Sequence, residues 1–481
     1  MTKLLMVQGT SSFAGKSFVT LALCRIFSDL GYRVAPFKAQ NTSLNSYVTS
    51  EGEEIARAQA LQAMAAGVEP RTEMNPILLK PTGERSSQVV VMGKPFEIIE
   101  AQHYYRDFAL QEGEGIVKRA LEKLKKDFDV IIMEGAGSPA EINLYHRDIA
   151  NMRTARLAKA PVILVADIDR GGVFASIYGT VNLLAGEDRE KVKGIIINKF
   201  RGDIEILEPG IVQIEELTNK KVLGTMPFLE NLHLPEEDSL GLEDIKGNAD
   251  VAVIRLPRIS NFTDFDALAL EGLRVKFVTE PEEIDSAKAV VIPGSKNTTS
   301  DLQWLREKGF EDKLMDISGK KPILGICGGF QMMGRAIYDN SGIEGGGTAK
   351  GLGFFDMETG FEREKVLRRV QTKAEEGMSG RKIPVSGYEI HMGRSEIRER
   401  PLFRGSDIID GACIPEKKLM GTYFHGIFDS QGFREVFLRL ISEASYEDVN
   451  IKEVWEASIK RVAEEFRKNI NMEEIFRIAG F

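Results

Sequence analysis

Gly9-Thr10-Ser11-Ser12-Phe13-Ala14-Gly15-Lys16-Ser17 is the stretch on which the reading of this chain turns. An apolar run at 4–8 enters it. A helical pattern at 17–30 leaves it, with Gly31 placed to end the helix. Strand, glycine loop and helix are the setting in which GxxxxGK[ST] holds phosphate, and here the loop carries one residue more between its glycines. Glycines let phosphate oxygens approach the backbone, and the N–H groups at the helix start surround the anion. Gly9 and Gly15 are then the loop glycines, Lys16 the counter-charge to terminal phosphates, and Ser17 a hydroxyl for Mg²⁺. A glycine turn with a chance Gly-Lys-Ser is the competing reading, and the flanking strand and helix count against it.

Outward from the loop, short apolar runs recur at 33–37, 130–133, 162–166 and 194–198, with helical patterns at 53–66 and 116–126. Strands apolar on both faces predict a parallel sheet covered by helices, an α/β fold. Carboxylates at the C-terminal ends of such strands face the ligand crevice. Glu134 opens the turn Glu134-Gly135-Ala136-Gly137-Ser138, and Asp167 and Asp169 follow the run at 162–166. Oxygen donors suit Mg²⁺. Glu134 is the leading carboxylate for the ion and Asp167 the next. Asp167 or Asp169 has an equal alternative as a helix cap or as a partner for Arg170. Lys38 follows the strand at 33–37 and reads either as a stabiliser of a transferring phosphoryl group or as a solvated lysine. Asn198 reads either as a contact to a purine base or as a turn residue.

Residues 234–250 are polar, acidic and rich in turn formers, which reads as a boundary, with a solvated helix and loop as the alternative. Strand patterns restart at 251–256, 275–278, 289–292 and 323–326. The expected organisation is an ATP-binding domain at 1–235, a linker at 236–250, a second α/β domain at 251–445 and a helical extension at 446–481. A glycine-rich stretch at 342–353 is expected to be irregular. The second domain contains Gly325-Ile326-Cys327-Gly328-Gly329-Phe330-Gln331, an apolar strand entering a tight turn. Such a turn exposes a sulfur at a helix start, where thiolate is favoured. A buried structural cysteine is the alternative, and the surrounding glycines count against it. For the base, His425 in Tyr423-Phe424-His425-Gly426 and His391 in Glu389-Ile390-His391-Met392-Gly393 both stand on the residues alone.

Composition narrows the classes. The chain has 481 residues, 43% of them hydrophobic, and a net charge of −9. Length predicts two to three domains. The acidic balance makes nucleic acid a poor partner. Three cysteines do not make a disulfide framework or a cysteine-rich metal site. There is no leader pattern, and no apolar run reaches the ~18 residues of a membrane helix. A cytoplasmic enzyme is expected, with no membrane partner and self-association left open.

Three segments extend the phosphate loop into a resemblance: Pro36-Phe37-Lys38-Ala39-Gln40-Asn41, Glu134 to Glu141 in Glu-Gly-Ala-Gly-Ser-Pro-Ala-Glu, and Asn198-Lys199-Phe200-Arg201-Gly202-Asp203. With the extended loop of dethiobiotin synthetase-like ATPases, they resemble the cobyric acid synthases from the first strand to about residue 430. Gly-x-Cys-x-Gly-x-Gln at 325–331 resembles class I glutamine amidotransferase domains. The resemblance implies an N-terminal P-loop NTPase-like domain and a C-terminal amidotransferase-like domain. It makes Cys327 the nucleophile and His425 the general base, and it suggests an oxyanion hole from the N–H groups of Gly294 and Gly328. The glutamate usual two residues after the histidine is replaced by Ile427, so the group orienting His425 is open, with Glu389 a candidate by proximity. Implied cofactors are ATP and Mg²⁺, with glutamine as nitrogen donor and a corrin acid as substrate. Cobalt belongs to that corrin rather than to the protein. The implied reaction amidates the b, d, e and g carboxylates of adenosylcobyrinic acid a,c-diamide. A cobyrinic acid a,c-diamide synthase is the near alternative. A partitioning-type nucleotide switch fits the first domain alone.

Overall fold

Strands that are apolar on both faces need cover on both sides, and the computed structural model shows how this chain supplies it. The residues described are 2–83, 85–235, 247–344, 346–442 and 449–481. In the first domain β1 (Lys3–Gly9) runs through the phosphate loop into α1 (Lys16–Asp29), followed by β2 (Val34–Phe37). A short hairpin, β3 (Ser46–Val48) and β4 (Glu54–Ala56), leads directly into α2 (Arg57–Ala65), and β5 (Ile77–Pro81) follows. The sheet is completed by β6 (Val130–Glu134), β7 (Val162–Asp167), β8 (Val192–Phe200) and β9 (Val222–Pro227). Its order is β9-β8-β7-β1-β6-β2, all parallel. β1 therefore lies where strand order reverses, and the crevice at such a point opens at the strands' C-terminal ends. Gly9, Glu134 and Asp167 stand at three of those ends.

The second domain repeats the scheme with β10 (Val251–Ile254), β11 (Val275–Val278), β12 (Ala289–Ile292), β13 (Ile323–Ile326), the short helix α3 (Gly328–Met332), two long strands β14 (Met357–Glu376) and β15 (Lys382–Ile397), then β16 (Ala412–Ile414) and β17 (Leu419–Thr422). Its sheet order is β11-β10-β12-β13-β17-β16, parallel except for the edge pair β16/β17. β14 and β15 form an antiparallel hairpin that reaches the first domain.

Two helices, α4 (Ile451–Asn469) and α5 (Met472–Ala479), follow the second domain in the chain and return to the first. Val462, Phe466 and Ile475 are buried with Leu5, Val7 and Phe27 on the α1 side of the sheet. Each such side chain contributes about 1.5–3 kcal/mol by leaving water.

The expected helix at 53–66 begins later. Residues 54–56 pair with 46–48 as a strand, because Glu54 is drawn into contacts with Ser46 and Lys80 that a helix would not satisfy. The stretch expected to be irregular contains a short strand, Gly347–Lys350. Residues 236–246 of the expected linker, and the expected border at 445 and 446, lie outside the described residues. No helix among the described residues is long and apolar enough to cross a membrane.

Candidate functional site

The phosphate loop is shaped by its backbone. Gly15 has φ 101° at the start of α1, in the left-handed region that glycine enters freely. A Cβ there would meet the Asn198 amide nitrogen at 1.9 Å, so close approach also demands glycine. Asn198 donates that amide to the Ala14 carbonyl at 3.0 Å and so braces the loop from β8. Lys16, almost fully buried, donates to the carbonyls of Ser11 (2.9 Å) and Gly137 (3.1 Å), which places its ammonium at the centre of the loop.

Glu134 gathers the other polar groups. One of its oxygens accepts from Ser17 Oγ and Lys38 Nζ, each at 2.8 Å, and the other from Gln62 Nε2 at 2.6 Å. Lys38 is buried, so the solvated alternative for it is wrong. Taking away one member of a buried ion pair costs about 3–5 kcal/mol, because the other charge stays behind uncompensated. Among the described residues no group of three or more His, Cys, Asp or Glu side chains forms a metal cluster. The Ser17 hydroxyl and the Glu134 carboxylate do form an adjacent pair of hard oxygen donors, the kind of set that Mg²⁺ accepts while keeping its waters. Asp167 is engaged by Lys199 at 2.8 Å and accepts from the Asp169 backbone N–H. Asp169 pairs with Arg201 rather than Arg170, which lies over the Phe13 ring.

The cysteine site uses strain. β13 ends in Cys327, whose φ of 49° and ψ of −106° are foreign to a residue with a side chain. Such backbone costs about 1–3 kcal/mol and persists where the surroundings over-determine it. Here Cys327 N–H is held by the Thr422 carbonyl of β17 at 2.8 Å, and Cys327 O receives Gln331 N–H at 3.0 Å. A Cβ on Gly329 would lie 2.0 Å from the Ile292 carbonyl oxygen, so the elbow can sit this tightly on β12 only with glycine.

His425 lies beyond β17, its backbone exchanging two hydrogen bonds with Tyr388 of β15 (2.9 and 3.0 Å). Its Nδ1 is 2.6 Å from Asp264 Oδ2, while Asp264 Oδ1 accepts Gly426 N–H at 2.8 Å. All three side chains are buried. Burial alone would lower the His425 pKa. The Asp264 carboxylate and Cys327, both also hydrogen-bonded to the ring, outweigh it and raise the pKa to about 10. The arrangement favours imidazolium beside Cys327. Gly294 approaches His425 so closely that a Cβ would be 2.7 Å from Cε1, and Gly328 abuts Ser295. Both expected oxyanion-hole glycines therefore stand around the pair.

The two domains match two known families. Residues 5–241 match the CobQ/CobB/MinD/ParA nucleotide binding domain, and residues 250–433 match the CobB/CobQ-like glutamine amidotransferase domain. The chain is 46% identical to the cobyric acid synthase of Pelotomaculum thermopropionicum, covering 100% of this chain and 97% of that one. It is 49% identical to the probable cobyric acid synthase of Methanosarcina mazei, with 99% of each chain covered. The chain belongs to the cobyric acid synthase family. With the cobyric acid synthase of Desulforudis audaxviator, identity is 50% over 91% of this chain and 90% of that one. Family membership makes the chain an amidoligase with a nucleotide-binding domain and a glutamine amidotransferase domain.

Within this synthase-family chain, Glu389 does not orient His425. On β15 it lies two residues from His391 and so shares its face; it binds Arg368 at 2.6 Å and faces His391 at 3.5 Å. Ile427 is fully buried, and the carboxylate that its position lacks comes instead from Asp264. His391 does reach the cysteine pocket, where it stacks on Tyr423, and its Nδ1 faces the Gly393 carbonyl. Asp264 and Gln62 were not found from the sequence. Neither sits in a motif, and each is recognisable only by what the fold sets beside it. Cys24 and Cys413 are buried, and burial raises both thiols.

Proposed function

We propose that this chain amidates the b, d, e and g carboxylates of adenosylcobyrinic acid a,c-diamide, using ATP and glutamine. The observation that carries the reading is a shared pocket: Cys327 and His425 open onto a wall that includes Lys80 of the nucleotide domain. A cysteine that releases ammonia from glutamine thereby faces the domain that activates the acceptor.

The chemistry divides between the sites. The Cys327 thiolate attacks the glutamine carboxamide, and N–H groups of Gly294 and Gly328 receive the developing oxyanion. His425, held by Asp264, gives its proton to the departing ammonia and leaves a glutamyl thioester. The neutral imidazole then takes a proton from water, which hydrolyses the thioester to glutamate. In the first domain a corrin carboxylate attacks the γ-phosphate of ATP, giving an acyl phosphate and ADP. Ammonia displaces phosphate from that acyl group and forms the amide. Lys16 and Lys38 balance charge on the transferring phosphoryl group, and Asn198 keeps the loop in shape. Ser17 and Glu134 would hold Mg²⁺, with Asp167 a further carboxylate at the next strand end. The ion would neutralise phosphate oxygens.

The test is a reaction with ATP, Mg²⁺, glutamine and corrin acids, followed by mass analysis. The expected product carries four added amide groups relative to the a,c-diamide. Amidation of cobyrinic acid only at a and c would replace this reading.

A further inference from the structure

Glu54 is fully enclosed at the junction of the two domains. Its Oε1 accepts from Ser46 Oγ at 2.7 Å and from Lys80 Nζ at 2.6 Å, and Lys80 also donates to Ser46 Oγ at 2.8 Å. Its Oε2 accepts from Lys365, which belongs to β14 of the other domain. The side chains of Lys80 and Lys365 are only 4% and 6% exposed. Both lysines line the pocket that holds Cys327 and His425.

The hairpin is shaped for this contact. Phe361 pairs with Gly393, but the next pair is Val366 with His391, so β14 carries extra residues between them and bulges. Bulges re-aim side chains, and Lys365 in this one reaches Glu54. The partner strand β15 holds the His425 backbone through Tyr388, and its Ile390 carbonyl lies 3.8 Å from Cys327 Sγ. One hairpin thus touches the reacting groups with one strand and the first domain with the other. On the far side, β4 continues without a break into α2, where Gln62 holds Glu134 of the phosphate site.

We infer that Glu54, clamped between Lys80 and Lys365, is a positioning residue that seals the cysteine pocket against water, so that ammonia released there passes into the nucleotide domain. This rests on the function proposed above. A buried ion cluster adds little net stability, and its best-attested use is to fix one arrangement of parts. Without the carboxylate, two buried ammonium groups face each other across the domain seam and repel. Burial lowers Lys365 to about 8 against the pull of Glu54. Lys80, Lys296 and Lys365 outnumber the two carboxylates beside them, Glu54 and Glu344, and this excess of positive groups favours passage of neutral ammonia over ammonium.

Glu54→Gln and Lys365→Met in the full chain test the seal, with Lys365→Arg as the charge-preserving control. Two readouts are needed. Under glutamine-driven amidation, the first two variants should form glutamate in roughly twofold or greater excess over amide, while ammonia-driven amidation and the glutamine KM stay near wild type and K365R stays coupled. Independently, with no corrin present, iodoacetamide should alkylate Cys327 faster in E54Q and K365M, as read by peptide mass analysis. Equal alkylation rates, or one glutamate per amide in both variants, overturn the seal. A raised glutamine KM with intact coupling also overturns it and makes the cluster a binding wall for the amino acid's carboxylate. If the wild type amidates no corrin yet alkylation still accelerates in the variants, the seal stands and the substrate reading falls.

Discussion

The phosphate site and the cysteine site are held by different means. The first is assembled at the ends of neighbouring parallel strands, where Ser17, Lys38 and Gln62 all converge on Glu134. Its backbone exceptions are mild: left-handed glycines at Gly15 and Gly137, with Phe13 at φ 60° and Lys199 at φ 62°. The second is assembled on a strained elbow and a proton carrier; both sites draw on distant segments, Ser17 and Glu134 lying 117 residues apart and His425 and Asp264 161. Both hold a buried ion pair, Lys38–Glu134 and His425–Asp264, but the cysteine site adds backbone strain at its nucleophile, Cys327. A site that only has to receive phosphate can be built from a loop and its neighbours. A site that must make a weak nucleophile reactive needs a fixed elbow and a fixed proton carrier.

The contrast predicts separable failures, of which Cys327→Ser should be the largest. Glutamine-driven amidation should fall about 10⁴-fold or more, because the nucleophile is lost, while added ammonia still supports amidation. Retained glutamine hydrolysis in folded C327S would remove Cys327 from its role. Lys16→Ala should depress amidation with either nitrogen source by about 10²–10³-fold, because charge on the phosphoryl group goes unbalanced. Near-normal ammonia-driven amidation by K16A would break the division between the sites.

Asp264→Asn sharpens the comparison from the cysteine side. Glutaminase should drop about 10²-fold or more, since the imidazole loses its orienting partner. The pH dependence has a definite sign. Asp264 helps raise His425 from 6.5 to about 10. Its removal should therefore move the alkaline limb of the glutaminase profile to lower pH. The folded-state pKa is the higher one, so the pair's contribution to stability is complete below about 6.5 and fades as pH rises toward about 10. Urea titrations of D264N and wild type should accordingly differ most at acid to neutral pH and converge in alkali. An unmoved limb would assign the raised pKa to another group. His391→Ala should have the smallest effect, within about tenfold on glutaminase, because this ring lines the pocket without bonding Asp264. If H391A loses glutaminase selectively and His425→Ala does not, the base has been misassigned.

The legible parts of the sequence were those whose chemistry is local. The loop at 9–17, the acid that ends β6 and the cysteine elbow each announce themselves by spacing and by the strand that leads into them. His425 stood level with His391 on residues alone, and resemblance to a family separated them. Asp264 was hidden because Phe-Thr-Asp-Phe has no pattern of its own; its meaning comes from the turn at Phe262–Phe265 packing against the segment that follows β17. Glu389 misled because closeness in sequence on a strand puts a side chain beside its i+2 neighbour, here His391. The helix expected at 53–66 failed at its start for a related reason, since Glu54 answers to Lys365 in the other half of the chain.

The return of α4 and α5 to the first domain has a consequence for how the protein is made. The ribosome releases the nucleotide domain before the helices that cover its α1 side, with the whole amidotransferase domain in between. Until then Leu5, Val7 and Phe27 lack the cover that Val462, Phe466 and Ile475 provide. Full cover of the α1 side therefore waits on emergence of α4 and α5, and a nascent chain interrupted before them presents an apolar surface suited to chaperone capture. The same route tethers the second domain at two points rather than one, so that it cannot swing away as a bead on a single linker would.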